Sequence, residues 1–160
     1  MLIGEQMNIK SVVSKQYRDK INKASIKAGD IVVPPEGWIC TTRKALGISA
    51  AQLARRLGVT RSHISNTERN ELKGSVTLKT LKGMAEGMEC QLVYAIVPKR
   101  NVENILKARA REKAIVRIKE AQTHMALEDQ ALSEKQIKFE INRLTNEILK
   151  DPPHDFWNNE

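Results

Sequence analysis

One short stretch of the chain carries several side chains that can hydrogen-bond to the edges of nucleic-acid bases. Arginine can donate two parallel hydrogen bonds to guanine, asparagine can pair in the same way with adenine, and serine can serve either base. Side chains of these types occur close together at Arg61, Ser62, Ser65 and Asn66. In a helix that begins near residue 61 they would occupy the first two turns. We therefore predict that they contact base edges in the major groove of DNA.

Two helices joined by a tight turn are needed to position these side chains. Ser49 with Gln52 three residues later is the capping-box pattern that begins a helix. Gly58 tolerates the backbone conformation of a turn, and Thr60 can cap a second helix. The residues predicted to face inward are Leu53, Ala54, Leu57, Ile64 and Thr67. This pattern predicts a helix-turn-helix, whose second helix enters the groove.

Further residues are predicted to bind the phosphate backbone of DNA. Gln52 and Thr60 lie at the N-termini of the two predicted helices, where unpaired N–H groups favour anions. Arg69 lies further along the second helix, and Arg43 lies on the preceding helix, directed toward solvent or phosphate. These four residues are the predicted phosphate contacts.

A glycine between two amphipathic helices also occurs in many all-helical domains, so this pattern alone leaves another fold open. The strings QLARRLGVT (52–60) and ISNTE (64–68), followed by 77–81 and a further helix, resemble the phage-repressor type of helix-turn-helix domain, the Xre or Cro family. The resemblance implies a five-helix DNA-binding domain, placed at residues 34–89.

The distribution of charge along the 160 residues agrees with a partner that is a polyanion. The formal net charge is +8. Residues 1–119 carry 23 basic and 10 acidic side chains, whereas residues 120–160 carry 4 and 9. A basic body favours phosphate binding through counterion release, and an acidic end favours a basic partner or screens the basic surface.

The remaining segments predict a mainly helical fold with extensions on both sides of the DNA-binding domain. Residues 1–33 are predicted to form an arm, with a basic helix over 5–27 and an extended linker after it. The predicted domain then begins with a helix over 38–46, whose buried side is formed by Trp38, Ile39, Thr42, Ala45 and Leu46. It ends with a helix from Thr77 to about Met88, whose inward residues are Leu78, Leu81, Met84 and Ala85. Residues 99–160 are predicted to form two helices, at 102–130 and 133–149, followed by a tail. The aromatic side chains of Phe156 and Trp157 in this tail either dock back onto the protein, which we favour, or bind a partner.

Residues 90–98 differ from this helical pattern because they are short, β-branched and stopped by a proline, which predicts a strand. A lone strand cannot satisfy its own backbone groups, and residues 31–33 are the only other β-like run. We expect the strand to pair with its copy in a second subunit, through Leu92, Tyr94 and Ile96. The resulting homodimer would have the two-fold symmetry that a palindromic operator requires.

The sequence carries no pattern of an enzyme, a metal site, a cofactor site or a membrane protein. Nothing resembles a nucleophile elbow, a P-loop or a zincin motif. His124 and Glu128 share a helix face, but no further His or Cys ligand is near in sequence, so a hydrogen bond is the better interpretation. No apolar run approaches ~20 residues, and Cys40 and Cys90 make no disulfide framework, so the protein is expected in the cytoplasm.

Segments spread along the chain resemble a bacterial family called mobile mystery protein A. They are PPEGWI (34–39), RKALGIS (43–49), CQLVYAIVP (90–98) and HMALEDQ (124–130), with the aromatic pair near the C-terminus. Members are typically encoded beside mobile mystery protein B, a Fic-domain protein, in pairs that look like toxin–antitoxin modules. The resemblance therefore implies a Fic-domain toxin as a partner.

Some antitoxins block Fic enzymes with a helix that carries Ser/Thr-x-x-x-Glu followed by Gly or Asn. Here the only such spacing is Thr67 with Glu71, which is followed by Leu72 and lies at the end of the predicted recognition helix. Direct insertion of a glutamate into a Fic active site is therefore not expected. Neutralisation of a toxin would have to use the C-terminal helices or the tail.

Three functions are compatible with these observations. The favoured one is a homodimeric, sequence-specific repressor that binds the operator upstream of its own operon and is the antitoxin-like member of a toxin–antitoxin pair. The alternative is a protein-binding inhibitor of a Fic-type toxin, for which DNA binding is secondary. A general nucleoid-type DNA binder would discriminate little between sequences.

Overall fold

The computed structural model describes residues 9–128 and 132–159, and in this part the chain forms seven helices and no strand. The helices are α1 (Ile9–Ala28), α2 (Trp38–Ala45), α3 (Ala50–Leu57), α4 (Arg61–Leu72), α5 (Leu78–Gly87), α6 (Val102–Leu127) and α7 (Glu134–Lys150). The mainly helical prediction is confirmed. The helix predicted over 102–130 ends earlier, at Leu127, with Glu128 as its C-cap. Residues 5–8 of the first predicted helix and residues 129–130 lie outside the described residues.

Residues 28–95 form one compact unit, which contains α2 to α5. Four helices are present in it, so the expected count of five is not confirmed. The core of the unit consists of Ile39, Leu53, Ala54, Ile64, Met84 and Met88. Each of the four helices contributes a buried residue, so these helices enclose one apolar centre.

The predicted buried side of α2 is wrong at three positions. Trp38, Ala45 and Leu46 are exposed, and only Ile39 is fully buried. The helix has eight residues, so it contacts the core over little more than two turns, and its two ends extend past it. Leu78, predicted inward on α5, is exposed because it is the first residue of that helix.

Gly87 has a packing role that the sequence pattern does not reveal. A Cβ atom at Gly87 would lie 2.5 Å from Cδ2 of Leu57. The absence of a side chain therefore lets the end of α3 approach the end of α5 closely. Arg56 strengthens this approach, since its Nε donates to the carbonyl of Gly87 at 2.8 Å.

The described parts of residues 1–27 and 96–160 form the second unit, which is based on an antiparallel pair of α6 and α7. Its core contains Ala110, Ala114, Ile148 and Phe156. Two alanines near the centre of α6 let α7 approach closely. Docking of the tail is confirmed for Phe156, whereas Trp157 is exposed and meets Phe156 edge to face.

Helix α1 is attached to this unit by polar contacts rather than by a core. The side chain of Asn22 accepts the N–H of Val102 at 3.0 Å and donates to Glu103 at 2.8 Å, so it caps the beginning of α6. None of the residues of α1 is fully buried.

Residues 90–98 form neither helix nor strand within the single chain. Among the described residues, none of 91–97 takes part in a backbone–backbone hydrogen bond. Because the predicted strand needs a second subunit, its pairing stays a prediction. None of the described helices combines the length and apolar character required to span a membrane.

Candidate nucleic-acid interface

The turn between α3 and α4 is built by local capping, as the sequence predicts. The hydroxyl of Ser49 accepts the N–H of Gln52 at 3.1 Å, and the side chain of Gln52 accepts the N–H of Ser49 at 2.7 Å. Gly58 adopts the left-handed conformation, with φ of 67°, and ends α3. Thr60 then accepts the N–H of His63 at 3.1 Å and begins α4. Caps on both sides of the turn therefore define the boundaries of the two helices.

The inward face of α4 is formed by Ile64 and Thr67, as predicted. Ile64 is fully buried in the core of the unit. Thr67 is also buried, and its hydroxyl donates to the carbonyl of His63 at 2.7 Å, so its polar group is satisfied within the helix. These two anchors determine which face of α4 remains available to a ligand.

The predicted base-reading residues lie outside this inward face, in the first two turns of α4. Arg61, Ser62 and Asn66 are exposed, and Ser65 is partly exposed. None of these four side chains makes a hydrogen bond or an ion pair with another residue of the described part of the chain. The first half of α4 thus presents a group of unsatisfied donors and acceptors to solvent.

Three of the predicted phosphate contacts are also accessible. Gln52, Thr60 and Arg69 are exposed. Gln52 uses its oxygen in the capping box, which leaves its amide NH2 group available, and Thr60 uses an oxygen lone pair, which leaves its O–H available. Both groups lie beside the N–H groups of a helix N-terminus, where an anion is favoured.

Arg43, the fourth predicted phosphate contact, has a different position. Its side chain is only 13% exposed, and its Nε donates to Glu68 of α4 at 2.7 Å. Its Nη1 donates to the carbonyl of Ile48 at 3.0 Å. The hydrogen bond to Glu68 also raises the pKa of Arg43. The guanidinium therefore ties α2 to α4 instead of facing solvent, because a nearby carboxylate outcompetes water for it.

Two glutamates of α4 that sequence reasoning did not assign to the site form its connection to α2. Glu68 binds Arg43, and Glu71 accepts the backbone N–H groups of Trp38 at 2.6 Å and Ile39 at 3.0 Å. A signal for the second contact was present, since Gly37 begins α2 without a capping side chain. A helix start without its own cap needs an acceptor from elsewhere.

The contacts of Thr67 and Glu71 also bear on the antitoxin pattern. The threonine is buried, and the glutamate is bound to the beginning of α2. This agrees with the expectation that the Thr67–Glu71 spacing is not a motif for insertion into another protein.

The predicted dimerisation residues differ in exposure. Tyr94 is 70% exposed and Ile96 is 87% exposed, whereas Leu92 is partly buried. Val93 is exposed as well. An apolar segment with unpaired backbone groups is thus accessible to another chain.

The described part of the chain contains no group of three or more His, Cys, Asp or Glu side chains that could hold a metal ion. His124 and Glu128 are both exposed near the end of α6. Cys40 and Cys90 are both free thiols. Burial and the nearby Glu68 carboxylate raise the pKa of Cys40, which keeps this thiol protonated at neutral pH.

Comparison with known families places a helix-turn-helix domain in the chain. Residues 41–94 match the family model described as helix-turn-helix, a domain of the Xre or Cro type. This range contains α3, the turn and α4, together with α5. A search of curated proteins found no match. A search of solved structures also found none.

Proposed function

We propose that this protein is a sequence-specific transcriptional regulator that binds DNA as a homodimer and represses its own operon. The observation that carries the proposal is the exposed face of α4. There, Arg61, Ser62 and Asn66 have no partner among the described residues, while Ile64 holds the helix to the core. A rigid helix with unsatisfied donors at its N-terminal end matches the way a helix-turn-helix reads the major groove. The helix-turn-helix family match to residues 41–94 supports DNA as the ligand.

In the proposed complex, base contacts and phosphate contacts come from different residues. Arg61, Ser62, Ser65 and Asn66 read base edges from the first half of α4. Gln52, Thr60 and Arg69 hold phosphates on either side, which fixes the register of the protein on the duplex. We assign Arg43 to holding α4 in place of its predicted phosphate contact, because its guanidinium is already bonded to Glu68 and to the carbonyl of Ile48.

The test is binding to DNA from upstream of the protein's own gene and to a shuffled duplex of the same composition, over a range of salt. We expect two protomers per site and a preference for the upstream duplex on the order of a thousandfold. Arg61→Ala should weaken binding to the upstream duplex by about 1–3 kcal/mol, because one bidentate base contact is lost. Its affinity for the shuffled duplex should change far less.

Arg61→Lys is the matched control, since it keeps the positive charge but not the forked geometry of the guanidinium. If Arg61 touches only phosphate, Arg61→Ala should lose as much affinity for the shuffled duplex as for the upstream duplex, Arg61→Lys should recover the binding to both, and the base contact would be refuted. Equal affinity of the wild type for both duplexes, with a steep salt dependence, would instead indicate a general DNA binder.

We propose that residues 90–98 form the dimer contact by pairing with the same segment of a second subunit. Exposed apolar side chains and unpaired backbone groups in this segment support the pairing. Ile96→Asp should weaken self-association at least about tenfold, because it places a charge where apolar surface would be buried. Sedimentation equilibrium measures the effect.

Gln91→Asp is the control for this prediction. It introduces the same charge at an exposed polar position of the same segment. A dimer that survives Ile96→Asp unchanged would place the interface elsewhere. Loss of the dimer in both variants would indicate that charge alone, rather than the buried side chain, is responsible.

The antitoxin-like role is carried by the resemblance to mobile mystery protein A. The second unit offers one surface for such a partner, an apolar groove of about 730 Å³ between the end of α6 and the beginning of α7, with Phe139 exposed beside it. Co-purification with a Fic-domain protein encoded by the adjacent gene is the direct test. Retention of that partner without DNA binding would favour the protein-binding inhibitor as the main function.

A further inference from the structure

Helix α2 begins without a capping side chain of its own. Its N-cap residue is Gly37, with φ of 83°, so no side chain is present to accept the unpaired N–H groups of the first turn. The carboxylate of Glu71, which lies 33 residues after Trp38, accepts the N–H of Trp38 at 2.6 Å and that of Ile39 at 3.0 Å. A negative charge is favourable at this end of a helix. The cap of α2 is therefore supplied by α4.

The space around Gly37 is shaped for this carboxylate. A Cβ atom at Gly37 would lie 2.8 Å from Oε2 of Glu71 and 3.0 Å from its Cδ. A residue with a side chain would therefore displace Glu71, besides being strained at this positive φ. Glycine at the cap position and glutamate on α4 are thus geometrically matched.

A second connection between the same two helices lies one turn earlier on α4. Glu68 accepts from Nε of Arg43 at 2.7 Å, and Arg43 also donates to the carbonyl of Ile48. Residues 68 and 71 are three apart, so they lie on one face of α4. Glu71 contacts the beginning of α2 and Glu68 contacts its last turn. Because these two contacts lie at opposite ends of α2, they restrict both the rotation of α4 about its own axis and the tilt of α4 relative to α2.

We propose that Glu71 is a positioning residue for base recognition, which sets the orientation of α4 without touching DNA. Ten residues separate it from Arg61, which is about 15 Å along the helix. A change of tilt at this end moves the other end of α4 relative to the bases, where hydrogen bonds tolerate only a few tenths of an ångström. The inference rests on the proposed function, because it takes the first half of α4 as the base-reading surface.

The test compares Glu71→Ala, Glu71→Gln and the control Glu86→Ala in the full-length protein. Glu86 also lies in this unit and is exposed, and it makes only a 4.0 Å ion pair with Lys82, so its loss removes the same charge without a capping contact. Amide hydrogen exchange of Trp38 and Ile39, measured by NMR, reports the cap. Residual dipolar couplings of the α2 and α4 amides report the angle between the helices, and titration with the upstream and shuffled duplexes reports recognition.

In Glu71→Ala we expect faster exchange at both amides and an altered angle between α2 and α4. The preference for the upstream duplex should fall about tenfold, which is the effect of misaligning about one base contact. Binding to the shuffled duplex should be unchanged. Glu71→Gln should recover most of the preference, since its amide oxygen still accepts an N–H group. Glu86→Ala should behave like the wild type.

Several results would overturn the inference. Faster exchange with an unchanged preference in Glu71→Ala would make Glu71 a cap alone, and unchanged exchange would mean that the cap is not formed. If Glu71→Ala does not fold, the same two measurements are made on Glu71→Gln. Dipolar couplings equal to those of the wild type, together with a tenfold lower preference for the upstream duplex, would refute the positioning role. If the wild-type protein prefers neither duplex, the proposed function fails, while the dipolar couplings still show whether Glu71 sets the angle of α4.

Discussion

Replacing Ile64 with alanine is expected to destabilise the unit of residues 28–95 by about 2–5 kcal/mol, the cost of truncating a large aliphatic residue in a packed core. Ile64 is fully buried, and it connects α4 to the cluster that includes Leu53 and Met84. Domains of this size have a total free energy of unfolding of about 5–15 kcal/mol, so the loss is a large share. Because Ile64 also anchors the proposed base-reading helix, DNA binding should weaken with it.

The measurement is urea unfolding followed by circular dichroism, and by the fluorescence of Trp38 in a Trp157→Phe background. Ile64→Val is the matched control, with an expected cost of about 0.5–1.5 kcal/mol, because it removes one methyl group from the same site. A cost below about 1 kcal/mol for Ile64→Ala would mean that the site collapses around alanine, or that α4 is held by its polar contacts to α2.

The second large effect is expected from Phe156→Ala, which should destabilise the unit built on α6 and α7 by about 3–5 kcal/mol. Phe156 is buried against Ala110, Ala114 and Ile148. Its backbone carbonyl accepts from Nε of Arg109 at 2.7 Å. The change should therefore release the tail from α6.

Further contacts of the tail depend on the same docking. Another nitrogen of Arg109 donates to the carbonyl of Asn158. Asp155 lies 3.8 Å from the ammonium of Lys113, whose side chain is only 4% exposed. Release of the tail would remove both contacts, which adds to the cost.

Trp157→Ala is the control for this prediction. Trp157 is 60% exposed, and its ring contacts Phe156 edge to face with centroids 5.1 Å apart. Such a contact contributes about 0.5–1.5 kcal/mol. Thermal unfolding and limited proteolysis after residue 150 should therefore distinguish the two variants. If Phe156→Ala and Trp157→Ala both unfold at the temperature of the wild type, the tail adds little to the stability of this unit.

The capping residues and the turn of the helix-turn-helix could be predicted because their effects are local. Ser49, Gln52 and Thr60 bond to backbone groups three residues away, and Gly58 ends α3 through its own φ angle. Ile64 and Thr67 face inward because helical periodicity places them on one side. The composition of the candidate site follows from the same periodicity, since the residues between the buried positions face outward.

The errors and omissions concern contacts between residues far apart in the chain. The pattern places Arg43 toward solvent or phosphate, yet Glu68, 25 residues later, binds its guanidinium and leaves it only 13% exposed. The periodic pattern places Trp38 and Leu46 on the buried side of α2, but the core covers only part of this helix, so both side chains are exposed. A periodic pattern states that a face is apolar, and it does not state how much of that face another helix covers.

The sequence by itself determined where α3 ends and α4 begins, which residues of α4 face the core, and which polar residues remain outside that inward face. These properties depend on hydrogen bonds and periodicities that extend over three or four residues. Only the tertiary structure decided that Glu71 caps α2, that Gly87 makes room for Leu57, and that Phe156 completes the core of the second unit. Each of these contacts joins distant segments, so it depends on the distance and angle at which the helices pack, which no local pattern specifies.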